Sequence, residues 1–535
     1  MAQHRSWLLV SLFLTDVLFL EAAKILTIAT MGGSHYRVMN QVSQILQDHG
    51  YNVTNLLHEN VPFQDFEKEK LSYEVITWRP PEDQEKEFHN RLYLLVEELF
   101  NESPQFDYFQ SSTPPRFNHH TLVKVYKYFA DLCSHLLSRK DIMDSLRNKN
   151  FDLVFLDAAE PCVFLIAEKL EKQFVAFLPT QFSSMDFGLP SPLSYVPVFG
   201  SRLTDQMDFW GRVKNFLMFF DFSMKQRQIF SQYDATIQEH FAEGSRPVLS
   251  DLLLKAELWF VNSDFAFEFA RPLLPNTVYV GGLMDKPARP IPQDLEDFIT
   301  TFGDSGFVLV ALGSVATTYQ TKEFIKEMNS AFARLPQGVL WTVKDEHWPK
   351  DVRMAKNVKI MDWLPQADLL AHPRICLFVT HGGMNSIMEA IQHGVPMVGI
   401  PFFVDQPENV VLIEAKRIGV SVQVENLKAE TFALTLKEVI ENKRYKSAAM
   451  TARAIRRSHP LTPSQRLVGW IDHILQTGGG AHLKPHGFQQ PWHVQHLLDV
   501  LLFLLGLTLA TLWLLKKVLG WLLKPLCVAR KEKKA

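Results

Sequence analysis

The chain has 535 residues, 47% of them hydrophobic and 21% charged, with a formal net charge of −3. That length and apolar content suffice for two domains with further segments at the ends. The near-neutral balance gives no footprint for nucleic acid, and four cysteines are too few for a disulfide framework.

The N-terminus reads M-A-Q-H-R-S, then an apolar stretch from Trp7 to Leu20, then Glu21-Ala22-Ala23. A basic start, an apolar run and small residues predict a secretory signal peptide over 1–23. Asp16 interrupts the run, and a retained anchor is the alternative. Lys24 to Thr30 then reads as a strand, with a helix from Tyr36 to His49. Residues 60–120 are polar, aromatic and proline-punctuated, without a clear period. Later strands are expected at Leu153 to Leu156, Phe174 to Leu178 and Leu258 to Val261. Phe209 to Met224 is densely aromatic. It reads as the wall of a core or pocket, or as a patch lying on a membrane face.

Asp285-Lys286-Pro287-Ala288-Arg289-Pro290-Ile291-Pro292 reads as an extended linker, here taken as 286–306 between halves at 24–285 and 307–485. The second half carries strands at Phe307 to Leu312, Val339 to Val343, Val358 to Ile360, Ile375 to Thr380 and Met397 to Ile400. Alternating apolar strands and helices predict parallel α/β sheets, hence two Rossmann-like domains. Leu497 to Leu515 is long and apolar enough to span a bilayer. Lysines and arginines dominate the tail at 516–535, which marks the cytosolic side.

Asn52-Val53-Thr54 and Asn101-Glu102-Ser103 are glycosylation sequons, at Asn52 and Asn101. Pro104 makes the second a poorer acceptor, and Asn52 is expected close to a strand that could shield it. Cys376 falls in an expected strand, Cys527 in the tail, and Cys133 and Cys162 carry no motif. Free thiols are the expectation for all four.

The run from Trp363 to Gln406 carries the chemistry. Ile375 to Thr380 is a short apolar strand, His381-Gly382-Gly383 turns the chain, and a helix follows from about Asn385 to His393. Two glycines let backbone approach a ligand, and the unpaired N–H groups of the helix start suit a diphosphate. Asn385 and Ser386 add side-chain donors. Glu389, one turn on, can accept two ribose hydroxyls, and Trp363 offers a flat face for a base. Asp405-Gln406 follows the next strand at its C-terminal end, where open α/β sheets bind ligands. A Gly-Gly turn, a lone Trp or an Asp-Gln pair alone is more often structural; the joint spacing argues for a site.

This block resembles the signature of the UDP-glycosyltransferases at Trp363, Gln366, His381, Gly382, Gly383, Asn385, Ser386, Glu389, Asp405 and Gln406. The stretches R-P-V-L-S-D-L-L-L-K-A-E-L-W-F-V-N-S-D-F-A-F and R-L-V-G-W-I-D-H-I-L-Q-T-G-G are similar to the vertebrate family 3, A subfamily. The resemblance implies the GT-B fold, with two Rossmann-like domains facing across a cleft. It also implies a UDP-sugar donor as co-substrate and a small lipophilic acceptor such as a bile acid, steroid, phenol or xenobiotic. Backbone and side chain near Gly313-Ser314 are implied at the donor. The family uses a first-loop His as general base and a later Asp to orient it; G-G-S-H places these at His35, and F-D-L-V-F-L-D-A at Asp157. Asp152 and Glu160 are nearby rivals. An imidazole oriented by a carboxylate suits proton abstraction from a hydroxyl.

Retaining enzymes of this fold often carry two glutamates eight positions apart. Here Met397 and His381 stand at those positions around Glu389, so inversion is expected, without metal or bound cofactor. Phe402, Phe403 and Val404 form an expected apolar wall that favours a neutral sugar: glucose, xylose or N-acetylglucosamine. Val404 departs from the glycine or alanine common before the Asp-Gln pair. Lys531 and Lys533 resemble a dilysine retrieval signal, which implies the endoplasmic-reticulum membrane with the catalytic mass lumenal. Homo- or hetero-oligomers with related transferases are compatible with the resemblance. Two other classes remain open: a catalytically weak sugar-nucleotide-binding partner of other membrane glycosyltransferases, and an enzyme that hydrolyses the UDP-sugar itself. Turnover by purified protein separates them.

Overall fold

A computed structural model describes residues 22–59, 71–82, 86, 119–180, 187–313, 320–402 and 404–532, with side chains omitted at 119–121 and beyond 522. The expected signal peptide, apart from Ala22 and Ala23, and the expected sites at Asn101, Ser314 and Phe403 lie outside these residues. The chain forms two compact units, one ending at Leu483 and one from Lys484 onward.

The first unit contains two parallel sheets. One is built from β1 (Lys24–Ala29), β2 (Asn52–His58), β3 (Glu74–Trp78), β4 (Leu153–Asp157), β5 (Phe174–Leu178), β6 (Trp259–Val261) and β7 (Thr277–Tyr279), in the order β3-β2-β1-β4-β5-β6-β7. The other contains β8 (Phe307–Ala311), β9 (Gly338–Thr342), β10 (Val358–Met361), β11 (Ile375–Thr380), β12 (Met397–Gly399) and β13 (Gly419–Ser421), in the order β10-β9-β8-β11-β12-β13. Every pairing is parallel. Both faces of each sheet are buried, which explains why the strands read as continuous apolar runs. Leu26 and Ile28 of β1 enter one core and Ile25 and Ala29 the other. Val308 and Val310 of β8 are likewise separated from Phe307 and Leu309.

The helices that matter for the site are α1 (Ser34–Asp48), α2 (His119–Ser138), α3 (Cys162–Lys169), α4 (Phe209–Phe230), α5 (Met384–His393), α6 (Gln406–Ala415), α7 (Lys443–Arg457) and α8 (Pro463–Thr477). Strand order reverses direction between β1 and β4 in the first sheet, and between β8 and β11 in the second. The crevice beyond the carboxyl ends at such a switch point is where open α/β sheets bind ligands. The loops after β1 and β11, and the end of β4, are therefore the places to look for chemistry.

Several expectations need correction. Helix α8, expected within 307–485 as part of the second domain, packs Leu467, Ile471 and Ile474 into the core of the first sheet. Thr462 and Gln465 form a capping box, Pro463 opens the helix and Gly478 closes it in the left-handed conformation. Its Asp472 accepts from Tyr51, so the chain returns and fastens the two halves. Arg456 of α7 adds a second fastening: it donates to Met388 O at 3.0 Å and Gly281 O at 3.3 Å, and pairs with Asp285. Cys133 of α2 and Cys162 of α3 form a disulfide rather than the expected free thiols, while Cys376 is free. The two helices hold their Cα atoms 5.5 Å apart, a spacing a disulfide bridges readily. Asn52 opens β2 and is exposed, not shielded.

Phe209 to Met224 is a helical stretch within α4, and its outer face is open. Phe209, Trp210, Phe216, Leu217, Phe220 and Met224 are all at least half exposed. The core reading of this stretch therefore fails for that face.

The second unit is dominated by α9 (Leu498–Glu532). Leu498–Leu522 is long and apolar enough to cross a membrane, with a mean hydropathy of 2.3. The helix does not stop at Leu515 as expected, but continues through Lys516 and Lys517. Lysine is a good helix former, so these two charges interrupt the apolar run without ending the helix.

Candidate active site

His35 is the second residue of α1, delivered by the turn after β1. Gly33 precedes the helix at a φ of 65°, a left-handed conformation that glycine adopts without strain. Asp157 is the last residue of β4, the neighbouring strand. Its carboxylate oxygen Oδ2 accepts from His35 Nδ1 at 2.8 Å, and Oδ1 accepts from the Ala159 amide at 3.1 Å. Asp157 is 1% exposed and the imidazole 22%. With Nδ1 held by Asp157, Nε2 is the ring nitrogen left for chemistry. Burial of His35 works against its charged form. The Asp157 charge and hydrogen bond, helped by Asp405, outweigh burial and raise its pKa above the ordinary 6.5.

The rivals of Asp157 are engaged elsewhere. Asp152 accepts from the Lys24 amide at 2.7 Å, at the other end of the strand. Glu160 accepts from Tyr233 Oη at 2.5 Å, Cys162 N at 2.9 Å and Thr30 Oγ1 at 3.0 Å. Burial pushes Glu160 up to about 7 despite those bonds.

In the second sheet, β11 leads through His381-Gly382-Gly383 into α5. Gly383 caps α5 without a side-chain bond, so the first N–H groups of α5 have no side-chain partner from the cap residue. A Cβ on Gly383 would lie 2.4 Å from His381 Nε2, and one on Gly313 would lie 2.7 Å from the same atom. The imidazole is thus wedged between two backbone segments that must be glycine. Burial lowers its pKa to about 4, so at neutral pH it is uncharged and can only hydrogen-bond.

Gln366 donates from Nε2 to Ser386 Oγ at 3.0 Å and to Glu389 Oε2 at 2.7 Å. Ser386 and Glu389 share one face of α5, three residues apart. Burial raises Glu389 to about 7, with Gln366 opposing. Asn385 Oδ1 accepts from Asn262 Nδ2 at 2.7 Å, a bond from the first sheet's side of the crevice. Trp363 is 58% exposed, and the Arg37 guanidinium of α1 lies 4.2 Å from its ring centroid.

Asp405 precedes α6. Asn409 Nδ2, one turn on, donates to Asp405 Oδ2 at 2.7 Å and to Gly382 O at 2.8 Å. One buried amide therefore ties Asp405 to the glycine turn. Burial raises Asp405, opposed by its bond from Asn409 and by the charge of His35. Gln406 is buried, its Oε1 accepting from the Phe402 amide at 2.8 Å. Phe402, expected in the apolar wall of the sugar pocket, is 2% exposed and packs edge-on against Phe324. Val404 is 48% exposed and sits at a φ of 56°.

His35, Asp157 and Asp405 thus form one electrostatic group, while Gln366, Ser386 and Glu389 form a second, with Arg37 acting on Glu389 and lying over Trp363. Arg37, Asn262 and Asn409 belong to this surface and were not singled out from sequence. Only Asn409 had a usable signal, its place one helical turn after Asp405. A small cavity lies beside Asn409, lined by Tyr195, Val198, Phe199, Leu203 and Leu412 together with the charged Glu268, Arg271 and Glu408.

Comparison with known proteins agrees with this arrangement. Residues 23–534 match the family model described as "UDP-glucoronosyl and UDP-glucosyl transferase". UDP-glucuronosyltransferase 3A2 of Mus musculus is 69% identical over 536 residues, covering 100% of both chains. UDP-glucuronosyltransferase 3A2 of Homo sapiens is 64% identical over 534 residues, again covering 100% of both. Among solved structures, CalG4, the calicheamicin glycosyltransferase, is similar at a TM-score of 0.56 and 16% identity, covering 85% of this chain and 98% of that one. That likeness bears on the fold, which is GT-B. The chain belongs to the UDP-glycosyltransferase family, enzymes that transfer a sugar from a UDP-sugar donor.

Proposed function

We propose that the chain is an inverting, metal-independent UDP-glycosyltransferase that moves a neutral sugar to a hydroxyl of a small lipophilic acceptor. The observation that carries the reading is the His35–Asp157 pair, 2.8 Å apart at the first switch point, coupled through charge to Asp405 of the second half. In the proposed step, His35 Nε2 takes the acceptor proton as the hydroxyl oxygen attacks the anomeric carbon. Asp157 holds the tautomer and stabilises the imidazolium. The bond from the anomeric carbon to the diphosphate oxygen breaks on the opposite face, and UDP leaves. The N-terminus of α5, His381 and the segment near Gly313-Ser314 would meet the diphosphate by hydrogen bonding. Trp363 would stack uracil, and Glu389 would accept ribose hydroxyls once Gln366 shares them.

Glucose or xylose is the first choice of sugar, with N-acetylglucosamine next. Asp405 and Gln406 would bond the sugar hydroxyls. The names of the mouse and human relatives carry glucuronic acid as the sugar. A glucuronate beside Asp405 would bring a second carboxylate into a buried, already acidic corner, a costly pairing. The apolar side chains of Tyr195, Val198, Phe199, Leu203 and Leu412 beside Asn409 support a lipophilic acceptor such as a steroid, bile acid, phenol or xenobiotic. The Cys133–Cys162 disulfide supports an oxidising compartment. Together with a span followed by Lys524, Arg530, Lys531, Lys533 and Lys534, it supports endoplasmic-reticulum membrane anchorage with the folded unit lumenal.

The test is parallel initial rates with UDP-glucose, UDP-xylose, UDP-N-acetylglucosamine and UDP-glucuronic acid against a mixed phenol and steroid panel, read by mass shift. UDP-glucuronic acid as the fastest donor would overturn the sugar assignment. Hydrolysis without transfer would overturn the acceptor assignment.

A further inference from the structure

The ladder between β1 and β4 ends at Ile28 opposite Leu156. Beyond it, two side-chain bonds join the segments that continue from these strands. One is the His35–Asp157 bond. The other runs from Thr30 Oγ1, one residue past β1, to Glu160 Oε2 at 3.0 Å. The second oxygen of Glu160, Oε1, accepts from the Cys162 amide at 2.9 Å and from Tyr233 Oη. Cys162 opens α3 and is bridged to α2, and Tyr233 lies in the turn after α4. Tyr126 of α2 donates to Ala159 O at 3.3 Å, on the residue whose amide donates to Asp157. Glu160 is 2% exposed, and Tyr233 is fully buried. A buried ionisable group is an inefficient way to stabilise a fold, since apolar side chains of similar volume often do as well. This one gathers donors from three segments around the His35–Asp157 pair.

We infer that Glu160 is a positioning residue for sugar transfer: by bonding Thr30 with one oxygen and the start of α3 with the other, it sets how the turn carrying His35 meets the end of β4. It acts through the His35–Asp157 pair and not on a reactant. Thr30 precedes His35 by five residues, and Glu160 follows Asp157 by three, so the carboxyl clamps both short segments near their roots. A slack turn would let His35 Nε2 drift from the attacking hydroxyl, and transfer falls steeply with such misplacement. Burial pushes Glu160 up to about 7, helped by the Asp157 charge and opposed by the three donors. Its bonds suit both protonation forms. A carboxylate accepts from all three donors, while a carboxylic acid donates to Thr30 Oγ1 and still accepts at Oε1. The titratable groups facing Glu160 are Asp157 and Tyr233, with Tyr126 behind Tyr233. Burial holds Tyr233 well above its usual range, so it remains a neutral donor. The clamp is therefore one of hydrogen bonds more than of charge. Glutamine can reproduce it, accepting at Oε1 and donating from Nε2 to Thr30 Oγ1.

This inference rests on the roles proposed above for His35 and Asp157, and the experiment separates the two. Full-length protein in micelles carries Thr30→Val, Glu160→Ala, Glu160→Gln or His35→Ala, and is assayed with the fastest donor and acceptor of the panel above. Thermal melting shows which variants are folded, and the near-isosteric Thr30→Val keeps the test open if Glu160→Ala is not. For Thr30→Val and Glu160→Ala the expected result is a fall in kcat of about 10- to 100-fold. KM for the UDP-sugar should stay within about threefold, because the clamp lies away from the proposed donor contacts. Glu160→Gln should recover kcat to within about threefold of the parent. The charges facing His35 are Asp157 and Asp405. In Thr30→Val the pH midpoint of kcat/KM should therefore move down, since a looser Asp157 bond leaves burial to lower His35. Folded Thr30→Val and Glu160→Ala with the kcat and midpoint of the parent would overturn the inference, and so would a loss confined to KM. If His35→Ala is inactive in that case, the base assignment survives alone. Glutamine as damaging as alanine would replace hydrogen bonding with charge and also overturn the inference. Normal turnover by His35→Ala would remove the role of the pair and the inference with it.

Discussion

The guanidinium of Arg37 lies 4.2 Å from the centre of the Trp363 ring, joining the first helix of one half to the loop after β10 of the other. Arg37 also acts on Glu389, opposing the burial that raises its pKa. A cation from the first half therefore sits at the nucleoside end of the proposed donor site.

A guanidinium over an indole contributes about 0.5–2 kcal/mol, and Trp363 keeps enough exposed surface to offer uracil a second face. Arg37→Ala should therefore raise KM for the UDP-sugar about 2- to 30-fold while kcat stays within about threefold. Arg37→Lys should fall between, since an ammonium lacks the planar stacking surface. Calorimetry with UDP gives the direct check. Tighter UDP binding by Arg37→Ala would mean that the guanidinium occupies the place of the base.

The His35–Asp157 pair makes a pH prediction with a definite sign. His35 acts as a base only when neutral, and its pKa is raised above 6.5. The value of kcat/KM should therefore rise with pH through a midpoint above 6.5, and be largely lost below it. Asp157→Asn removes the main raising influence and leaves burial, which lowers, so the midpoint should move downward as the plateau falls. His35→Ala should reduce transfer at least about a hundredfold, with UDP binding retained because most of the proposed nucleotide contacts come from the second half. A pH profile unchanged by Asp157→Asn would remove Asp157 from its orienting role.

What the sequence made legible was local. β1, β4, β5, β8 and β11 are continuous apolar runs because both faces of each sheet are covered. The turn at His381-Gly382-Gly383 is visible because a Cβ at Gly383 would meet the imidazole and Gly382 holds a positive φ. Strands β2, β3, β7 and β13 were missed: β2 is broken by polar Asn and Thr side chains, β7 and β13 have three residues each, and β3 is a partly exposed edge. Contacts made across the halves leave no local pattern. Nothing around Arg37 signals Trp363, and nothing around Leu467 or Ile471 says that α8 returns to the first sheet. Phe402 illustrates the opposite error, since an apolar residue beside a ligand motif is equally suited to the core beneath it.

Val404 carries a φ of 56°, a region that costs a β-branched residue about 1–2 kcal/mol. Glycine adopts it freely but loses about 0.5–1 kcal/mol through greater freedom in the unfolded chain. Val404→Gly should therefore leave the melting temperature unchanged or about one degree higher. Removing an exposed side chain beside Asp405 should also enlarge the sugar corner and raise the rate with UDP-N-acetylglucosamine relative to UDP-glucose. A clear drop in melting temperature would show that the isopropyl group packs usefully. An unchanged donor ratio would place it away from the sugar.

The disulfide between Cys133 and Cys162 brackets β4, the strand that ends in Asp157. It closes a loop with a sequence separation of 29, for which chain entropy alone gives about 3.5 kcal/mol. Replacing both cysteines with serine should lower unfolding free energy by about 2–4 kcal/mol, read by denaturant titration of the full-length protein in micelles. Alkylation before reduction should label Cys376 and spare Cys133 and Cys162; after reduction both should label. The same experiment reports on compartment, because such a bond persists only where thiols are not kept reduced. Protein isolated from microsomes with Cys133 and Cys162 already alkylatable would contradict both the bond and the lumenal placement of the folded unit. Protease added to intact microsomes gives an independent reading of that placement: it should remove a C-terminal tag and leave the folded unit whole.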